Sequence, residues 1–491
     1  MAENTYTASE LRFCRGRTKE SRNVVYRGYQ YGSVMQLKNG DQSWCCIVKK
    51  CKGRIHTSDT HVNIVREHDH EPDISQCDAK QAMSRAKELA VSTRTKPTVI
   101  VADTTATLSI AARAKLPNPE NRKKQLHYVR KQADARPAEP NGIEDIRITQ
   151  QDCITKDGQP MLLHDNNNPF NRLIMFGTQT CLKILEKCKS WYIDGTFEKC
   201  PKHFYQLVTI HAEIEKDQQD TDGEIDNHTT WVIPCIWVLL SGKKQDHYEE
   251  LFSELVHLGH FDPTYIMCDY ELGLRTAITI YFPYVTLSGC YFHFSNAVRK
   301  NWCEKHKIEY MRVIHDNDVT RYTDTKILAR RLVGLAFVPL ANIQESFDTI
   351  VTNLPEDLFQ KHVDEVQYFQ KTWVGGNVAG RTTAARYPPP NWNVRQRTLD
   401  KNNRTNNHCE SFHSKLKYFI EGACIPTIWG FLAGMKSFQS DIDNDIVSMR
   451  LGHNPPRRSK KEIGKDLRIY NATQQYNNMN RLDYLDFVME L

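Results

Sequence analysis

Cys46 and Cys51, followed by His68 and His70, set two thiols and two imidazoles at a spacing that can close on one ion. Zinc takes such soft and borderline donors in a tetrahedral array. Cys45, next in the chain, could replace Cys46, and a buried Cys pair beside a solvated His-rich loop would need no metal. A second set of groups is acidic. Asp194 follows the apolar Trp191-Tyr192-Ile193, and Asp269 ends the run Tyr265-Ile266-Met267-Cys268, so each carboxylate sits where burial must be offset by a cation or a donor. Glu410 stands opposite the stripe Phe412, Leu416, Phe419 and Ile420 at helical spacing and, like Lys417, faces away from the core that stripe builds. Hard oxygen donors of this kind suit Mg2+ or Mn2+, and a metal pair held by three carboxylates can activate a water or a 3′-hydroxyl and stabilise the leaving oxygen of a phosphodiester. Turn-capping aspartates and a solvated glutamate obey the same spacing. Cys290 and His293 form a Cys-x-x-His, half of a zinc site to which His408, Cys409 and His413 could add, or else a packed thiol and a hydrogen-bonded imidazole.

These groups need elements to hold them. Residues 23–73 read as short strands with a hairpin turn at Asn39-Gly40, a module too small to hold its fold on apolar burial alone. Residues 77–140 turn rich in Ala, Lys and Arg, with helical runs at 81–90 and after Pro119, either a small basic helical unit or a solvated linker. Strand-like runs follow at 190–197, 203–214, 235–242, 265–271 and 285–293. Pro234 confines itself to a bulge or a strand start, so the regular strand is expected near Cys235. Hairpin-like strands followed by a strand-helix-strand unit imply a mixed sheet with helices on its faces, an α/β core. Asp269 then lies where a strand hands over to an amphipathic helix bearing Leu274, Ala277, Ile278, Tyr281 and Phe282, at the sheet edge that ligands favour. Residues 300–400 read as mostly helical, a further helix begins near Asn406, and 451–491 reads as a basic and polar tail whose Asn and Gln clusters argue against a tight core.

Composition limits the function classes. A chain of 491 residues exceeds one ordinary core and excludes a lone small binding module. No apolar run is long enough to cross a bilayer, and the opening stretch lacks the apolar core of a signal peptide, so a soluble protein with no membrane partner is expected. Fifteen Cys in so long a chain point to free or metal-bound thiols rather than a disulfide scaffold. The net charge of +6 is uneven: residues 1–140 carry 25 Lys and Arg against 15 Asp and Glu. A cationic front on a near-neutral body suits a polyanion partner, and equally a solvated linker.

The strand leading into Trp44-Cys45-Cys46, then Cys51, then His68-Asp69-His70-Glu71-Pro72, resembles the FLYWCH-type zinc finger over about 50 residues. That resemblance implies zinc, and selects Cys46, two positions after the Trp, as the ligand. Further on, Trp191-Tyr192-Ile193-Asp194-Gly195-Thr196-Phe197, Phe204-Tyr205-Gln206-Leu207, Tyr248-Glu249-Glu250-Leu251-Phe252, Cys268-Asp269-Tyr270-Glu271 and Gly289-Cys290-Tyr291-Phe292-His293-Phe294 resemble, in order and spacing, the MULE (Mutator-like element) transposase domain. That resemblance implies an RNase H-like core whose Asp194, Asp269 and Glu410, the last within Asn406-Asn407-His408-Cys409-Glu410-Ser411-Phe412, hold two divalent metals, with a helical insertion before the Glu. The implied layout is a finger at 10–73, a basic helical segment at 77–140, a catalytic core at 160–299, an insertion at 300–400, the end of the core at 401–450 and the tail at 451–491.

The resemblance further implies a DNA transposase that cuts and joins strands, acts on double-stranded transposon ends and target, works as a homo-oligomer and resides in the nucleus. Arg122, Lys123 and Lys124 in the basic segment, and Arg404 and Lys417 beside Glu410, are the candidate phosphate contacts. Arg122-Lys123-Lys124 and Pro456-Arg457-Arg458-Ser459-Lys460-Lys461 fit nuclear import signals. The competing expectations are a domesticated descendant that binds DNA without cutting, and a nuclease of the same fold that cuts without joining.

Overall fold

A computed structural model describes the whole chain except residues 1–4, 8–10, 16–21, 94, 134–136, 215–229, 312, 317–318, 379–380, 421–425, 457 and 491, so Arg457 of the basic motif and the expected finger boundary at Glu10 lie outside the described residues. The chain divides into two compact units, Met1–Ala138 and Glu139–Leu491.

The first unit opens with strands β1 (Thr5–Thr7), β2 (Arg12–Arg15), β3 (Arg22–Tyr26), β4 (Tyr29–Gln36), β5 (Gln42–Cys46), β6 (Arg54–Thr57) and β7 (His61–Arg66). They form one antiparallel sheet in the order β1-β7-β6-β5-β4-β3-β2. The turn expected at Asn39-Gly40 joins β4 to β5, with Gly40 at φ +91°. Among the described residues, Val24, Tyr26, Tyr31, Trp44, Ile55 and Val62 form the core of one face of the sheet, and the Trp44 indole donates to Thr57 Oγ1 at 2.8 Å. Four helices follow: α1 (Ile74–Ser92), α2 (Pro97–Thr105), α3 (Ile110–Ala114) and α4 (Pro119–Ala133). Helix α1 starts earlier than the run at 81–90 suggests because Asp73 caps it, accepting from Gln76 N at 2.8 Å. This segment is packed rather than a solvated linker. Cys77 Sγ reaches Gly28 O at 3.2 Å, Lys80 Nζ donates to Gln30 Oε1 at 2.8 Å, and Ala86, Ala90, Ile100 and Leu126 close a second small core.

The second unit is built on β8 (Leu162–Asp165), β9 (Leu173–Phe176), β10 (Ser190–Thr196), β11 (Gln206–Ile214), β12 (Trp231–Leu240), β13 (Tyr265–Cys268) and β14 (Thr286–Gly289), in the order β14-β13-β10-β11-β12-β9-β8. From β10 through β11, β12 and β9 to β8 the pairing is antiparallel, while β13 and β14 join β10 as parallel strands. It is the mixed sheet that hairpins followed by crossovers require. Pro234 takes the bulge alternative: the register slips between Ile210 and His211, leaving Cys235 unmatched, and β12 begins at Trp231 instead of near Cys235. Helices α5 (Gln179–Lys187), α6 (Gln245–Leu258) and α7 (Leu272–Tyr281) share the sheet's core, with α6 and α7 making the two parallel crossovers.

Helix α8 (Tyr291–Met311) begins two residues after β14. It leads into a helical region of α9 (Asp324–Gly334), α10 (Ile343–Thr352), α11 (Glu356–Phe369) and α12 (Arg395–Leu399), with short hairpins β15 (Val313–Asp316)/β16 (Val319–Tyr322) and β17 (Gly376–Val378)/β18 (Arg381–Thr383). Helices α13 (Asn407–Phe419) and α14 (Ile428–Arg450) return to the sheet's core through Phe412, Leu416, Phe431 and Phe438. The tail departs from expectation. It forms α15 (Lys460–Gln474) and α16 (Arg481–Met489), which bury Ile469, Ala472, Tyr484, Leu485 and Val488 in the core of the helical region. Those apolar positions keep helical spacing inside a polar stretch, so average polarity hid a buried face.

Candidate functional site

In the first unit, Cys46 ends β5, Cys51 follows a tight turn that passes through Lys50 at φ +78°, and His68 and His70 lie just beyond β7. Adjacent strands therefore deliver all four donors to one sheet end, and their ligand atoms all lie within 4.8 Å of one another. Cys46 Sγ is 3.3 Å from His70 Nε2, Cys51 Sγ 3.4 Å from His68 Nδ1, and those two nitrogens 3.3 Å apart. Tetrahedral ligation at zinc–ligand lengths of about 2.0–2.3 Å needs donor separations of roughly 3.3–3.8 Å. Cys45 is outside the cluster. The surroundings orient the donors: His68 Nε2 meets Tyr31 OH at 2.7 Å, His70 Nδ1 meets Glu71 O at 2.9 Å, and the amides of Val48 and Gly53 point at the two sulfurs at 3.4 and 3.3 Å. Tyr29 stacks on His68 at 3.7 Å between ring centroids. A Cβ at Gly53 would stand 2.6 Å from the His68 ring, so glycine is required there. Burial pushes the Cys46 thiol up to about 11 and lowers His68. A bound cation would displace the thiol proton that burial favours.

In the second unit the acidic residues meet at the C-terminal edge of the sheet. Tyr192 of β10 is in register with Met267 of parallel β13, so two residues further on Asp194 and Asp269 emerge side by side. Asn406, fully buried at the start of α13, bridges them: its Nδ2 donates to Asp194 Oδ1 at 2.8 Å and lies 3.5 Å from Asp269 Oδ1. Each aspartate also has a histidine, His413 Nδ1 standing 3.3 Å from Asp194 Oδ2 and His293 Nδ1 2.8 Å from Asp269 Oδ1. Asn406, Glu410 and His413 follow one another at spacings of four and three, which places them on the face of α13 turned toward the aspartates. Burial, then the charges of Asp269 and Glu410, push the Asp194 carboxyl up to about 8. His293 is opposed by burial, but its contacts with Asp269 and Cys290 prevail and raise it to about 11. Burial lowers His413 to about 4, leaving it neutral at neutral pH. The oxygens of Asp194, Asp269 and Glu410 do not join the groups of donors that all lie within 4.8 Å among the described residues.

The remaining expected residues are dispersed. Cys290 is buried against Cys409, with Asn406 N 3.5 Å from its sulfur, and with His293 it gathers no third donor among the described residues. Arg404 is mostly buried and paired with Asp466, which also takes Arg458, whereas Lys417 is exposed. On α4, Lys124 is exposed and Lys123 pairs with Glu120 at 3.2 Å, while Arg122 is half-buried. Sequence reading missed Asn406 as the bridge and His413 and His293 as partners of the aspartates. The signal available was helical spacing from Glu410 for the first two; for His293 it was the abrupt change from β14 to α8.

Residues 190–297, which include both aspartates but not Glu410, match the MULE transposase domain. Among curated proteins none matches the chain. Among solved structures, the Drosophila P element transposase strand transfer complex aligns over 84% of this chain and 90% of that one at 8% identity and a TM-score of 0.20, a score that carries no argument about fold or function.

Proposed function

We propose that the chain is a DNA transposase of Mutator-like type, cutting and joining DNA strands at the cleft of Asp194, Asp269 and Glu410 and binding double-stranded DNA through a FLYWCH-type zinc finger at Cys46, Cys51, His68 and His70. The observation that carries this reading is that the MULE match spans the strands that set Asp194 and Asp269 side by side at one sheet edge. The meander with two parallel strands added by crossover helices supports an RNase H-like core.

The donor chemistry fits a hard divalent cation. Burial first, and then the charges of Asp269 and Glu410, make Asp194 resist ionisation, which a bound cation would relieve. Asp194, Asp269 and Glu410 would hold Mg2+ or Mn2+, which when bound supplies Lewis-acid stabilisation of the attacking and leaving oxygens. The chain's own groups prepare that cleft. Asn406 fixes one oxygen of each aspartate, cationic His293 balances Asp269, and neutral His413 offers Nδ1 as a proton acceptor beside Asp194 Oδ2. Lys417, with the basic α4, supplies phosphate contacts; assembly as a homo-oligomer and residence in the nucleus belong to the same reading.

The test is cleavage of labelled element ends by purified protein in Mg2+. Strand cutting and joining that disappear in Asp194→Asn support the reading. A second reading, a descendant that binds DNA without cutting, is favoured by the three carboxylates not closing to within 4.8 Å of one another as the Cys/His donors do among the described residues. Binding without cutting in the same assay would select it, and cutting without joining would mark a nuclease.

A further inference from the structure

The helical region brings together three donors that the functions above do not use. The ligand atoms of His306 on α8 and of His362 and Glu365 on α11 all lie within 4.8 Å of one another. Both helices break their backbone geometry at the histidine, with His306 at φ −125°, ψ 36° and His362 at φ −117°, ψ 17°. Interior kinks ordinarily trace to Pro, to Gly/Ser pairs or to π-bulges. Residues 303–309 and 359–365 contain no Pro, Gly or Ser, so local composition does not account for the two kinks.

The hydrogen bonds around His362 specify which nitrogen is available. Glu309 Oε2, an acceptor, takes the Thr325 hydroxyl at 3.1 Å, so Thr325 Oγ1 accepts from His362 Nε2–H at 2.9 Å. Lys361 anchors Glu309 at 2.7 Å. With Nε2 carrying the proton, the neutral ring's Nδ1 presents a lone pair. That atom is buried without a hydrogen-bond partner and faces Glu365 Oε2 at 3.8 Å. Two acceptors opposed in a buried site call for a cation between them. Glu365 Oε1 lies 3.4 Å from His306 Nε2, close to the spacing of donors on a tetrahedral ion, and 3.0 Å from Lys305 Nζ on the solvent side. The Glu309–Thr325–His362 chain is the outer-shell support by which proteins orient a metal-binding imidazole.

We propose that His306, His362 and Glu365 form a zinc site, separate from the Cys/His cluster, that pins α8 to α11. Water completes the fourth position, reached past His306, the most exposed of the three. The ion would brace the helix whose first turn carries His293 to Asp269.

Co2+ titration of the metal-stripped full-length chain tests this. In the double-Cys variant, Cys46→Ser/Cys51→Ser made on an Asp194→Asn/Asp269→Asn background so that the acidic cleft takes no ion, a single Co2+ should still bind, with the weak visible bands of nitrogen and oxygen ligation and no sulfur charge-transfer band. Adding His306→Gln, at a partly exposed position that perturbs packing least, should weaken that binding by at least about 10-fold. On the wild-type background His306→Gln should preserve the thiolate-to-cobalt band while lowering total metal content. Zn2+ should raise the melting midpoint of the double-Cys variant and not that of the same variant with His306→Gln added. Absence of Co2+ binding in the double-Cys variant, or unchanged binding after His306→Gln and Glu365→Gln, would overturn the proposal and leave an ion-pair network around Glu365.

Discussion

The Cys/His cluster takes its donors from neighbouring turns of one small sheet, at 46, 51, 68 and 70, and holds their atoms within 4.8 Å. The acidic cluster draws on the ends of β10 and β13 and on a helix more than a hundred residues further along, and its aspartates meet through Asn406. The difference follows from what holds each. The few side chains buried there among the described residues are too small a core for the front sheet to be rigid unaided, so an ion there would supply folding energy. The acidic groups stand on a core spanning a seven-stranded sheet and its flanking helices, which can bear the desolvation of the buried Asp194 carboxyl.

The largest effect should come from removing metal in front. Chelation, or Cys46→Ser with Cys51→Ser, should forfeit on the order of 10 kcal/mol of apparent binding energy and unprotect the amides of residues 22–66 to hydrogen exchange, with the strands of the second unit still protected. Equal protection with and without chelator would break the comparison by making the front cluster dispensable. Next comes the cleft. Asp194→Asn, Asp269→Asn or Glu410→Gln should reduce strand cleavage by at least about 1,000-fold, roughly 4 kcal/mol, with little change in melting temperature. A triple-amide protein that still cuts DNA would remove the cleft from the chemistry.

Asn406→Ala sharpens the contrast at smaller scale. Losing the amide that bridges the two aspartates should cost about 1–3 kcal/mol in thermal unfolding of the divalent-free protein. Mg2+ should restore part of it if the aspartates share a cation.

The gentlest probe is pH. Asp194 is raised to about 8 when folded, so its contribution is present below its unfolded value near 3.8 and is lost as pH rises through 8. His293, raised to about 11, contributes below its unfolded value near 6.5 and loses that as pH rises through 11. His413, lowered to about 4, acts oppositely, but only between 4 and 6.5. From pH 6.5 to 8 the divalent-free protein should therefore lose stability, by up to about 1.4 kcal/mol per unit for each proton, and Asp194→Asn should flatten the slope. A denaturant series across that window measures it, and a flat wild-type profile would count against the strain assigned to Asp194.

Much of the architecture could be read along the chain because its signals are local. The β4–β5 turn follows from Asn39-Gly40, the strand-end positions of Asp194 and Asp269 from apolar runs that stop at a carboxylate, and the burial of Phe412 and Leu416 from helical period. The packing of α15 and α16 escaped because their apolar residues are sparse among Asn, Gln and charges, and their partners lie far back in the chain, as Arg395 does for Thr473 and Arg331 for Asp486. Arg404 illustrates the same limit, since a cation beside Glu410 reads as a phosphate ligand until Asp466 is found holding it.

By itself, then, the sequence determined residue types, their local conformation, and the pairing of thiols with imidazoles whose spacing few other structures would explain. Tertiary structure alone decided that Asn406 bridges two aspartates, that His293 serves Asp269, and that His306 meets His362 and Glu365. The physical reason is range. Backbone preference and hydrophobic period act over a few residues, whereas the charge a buried group feels is set by whichever distant side chains the finished core brings within a few ångströms of it.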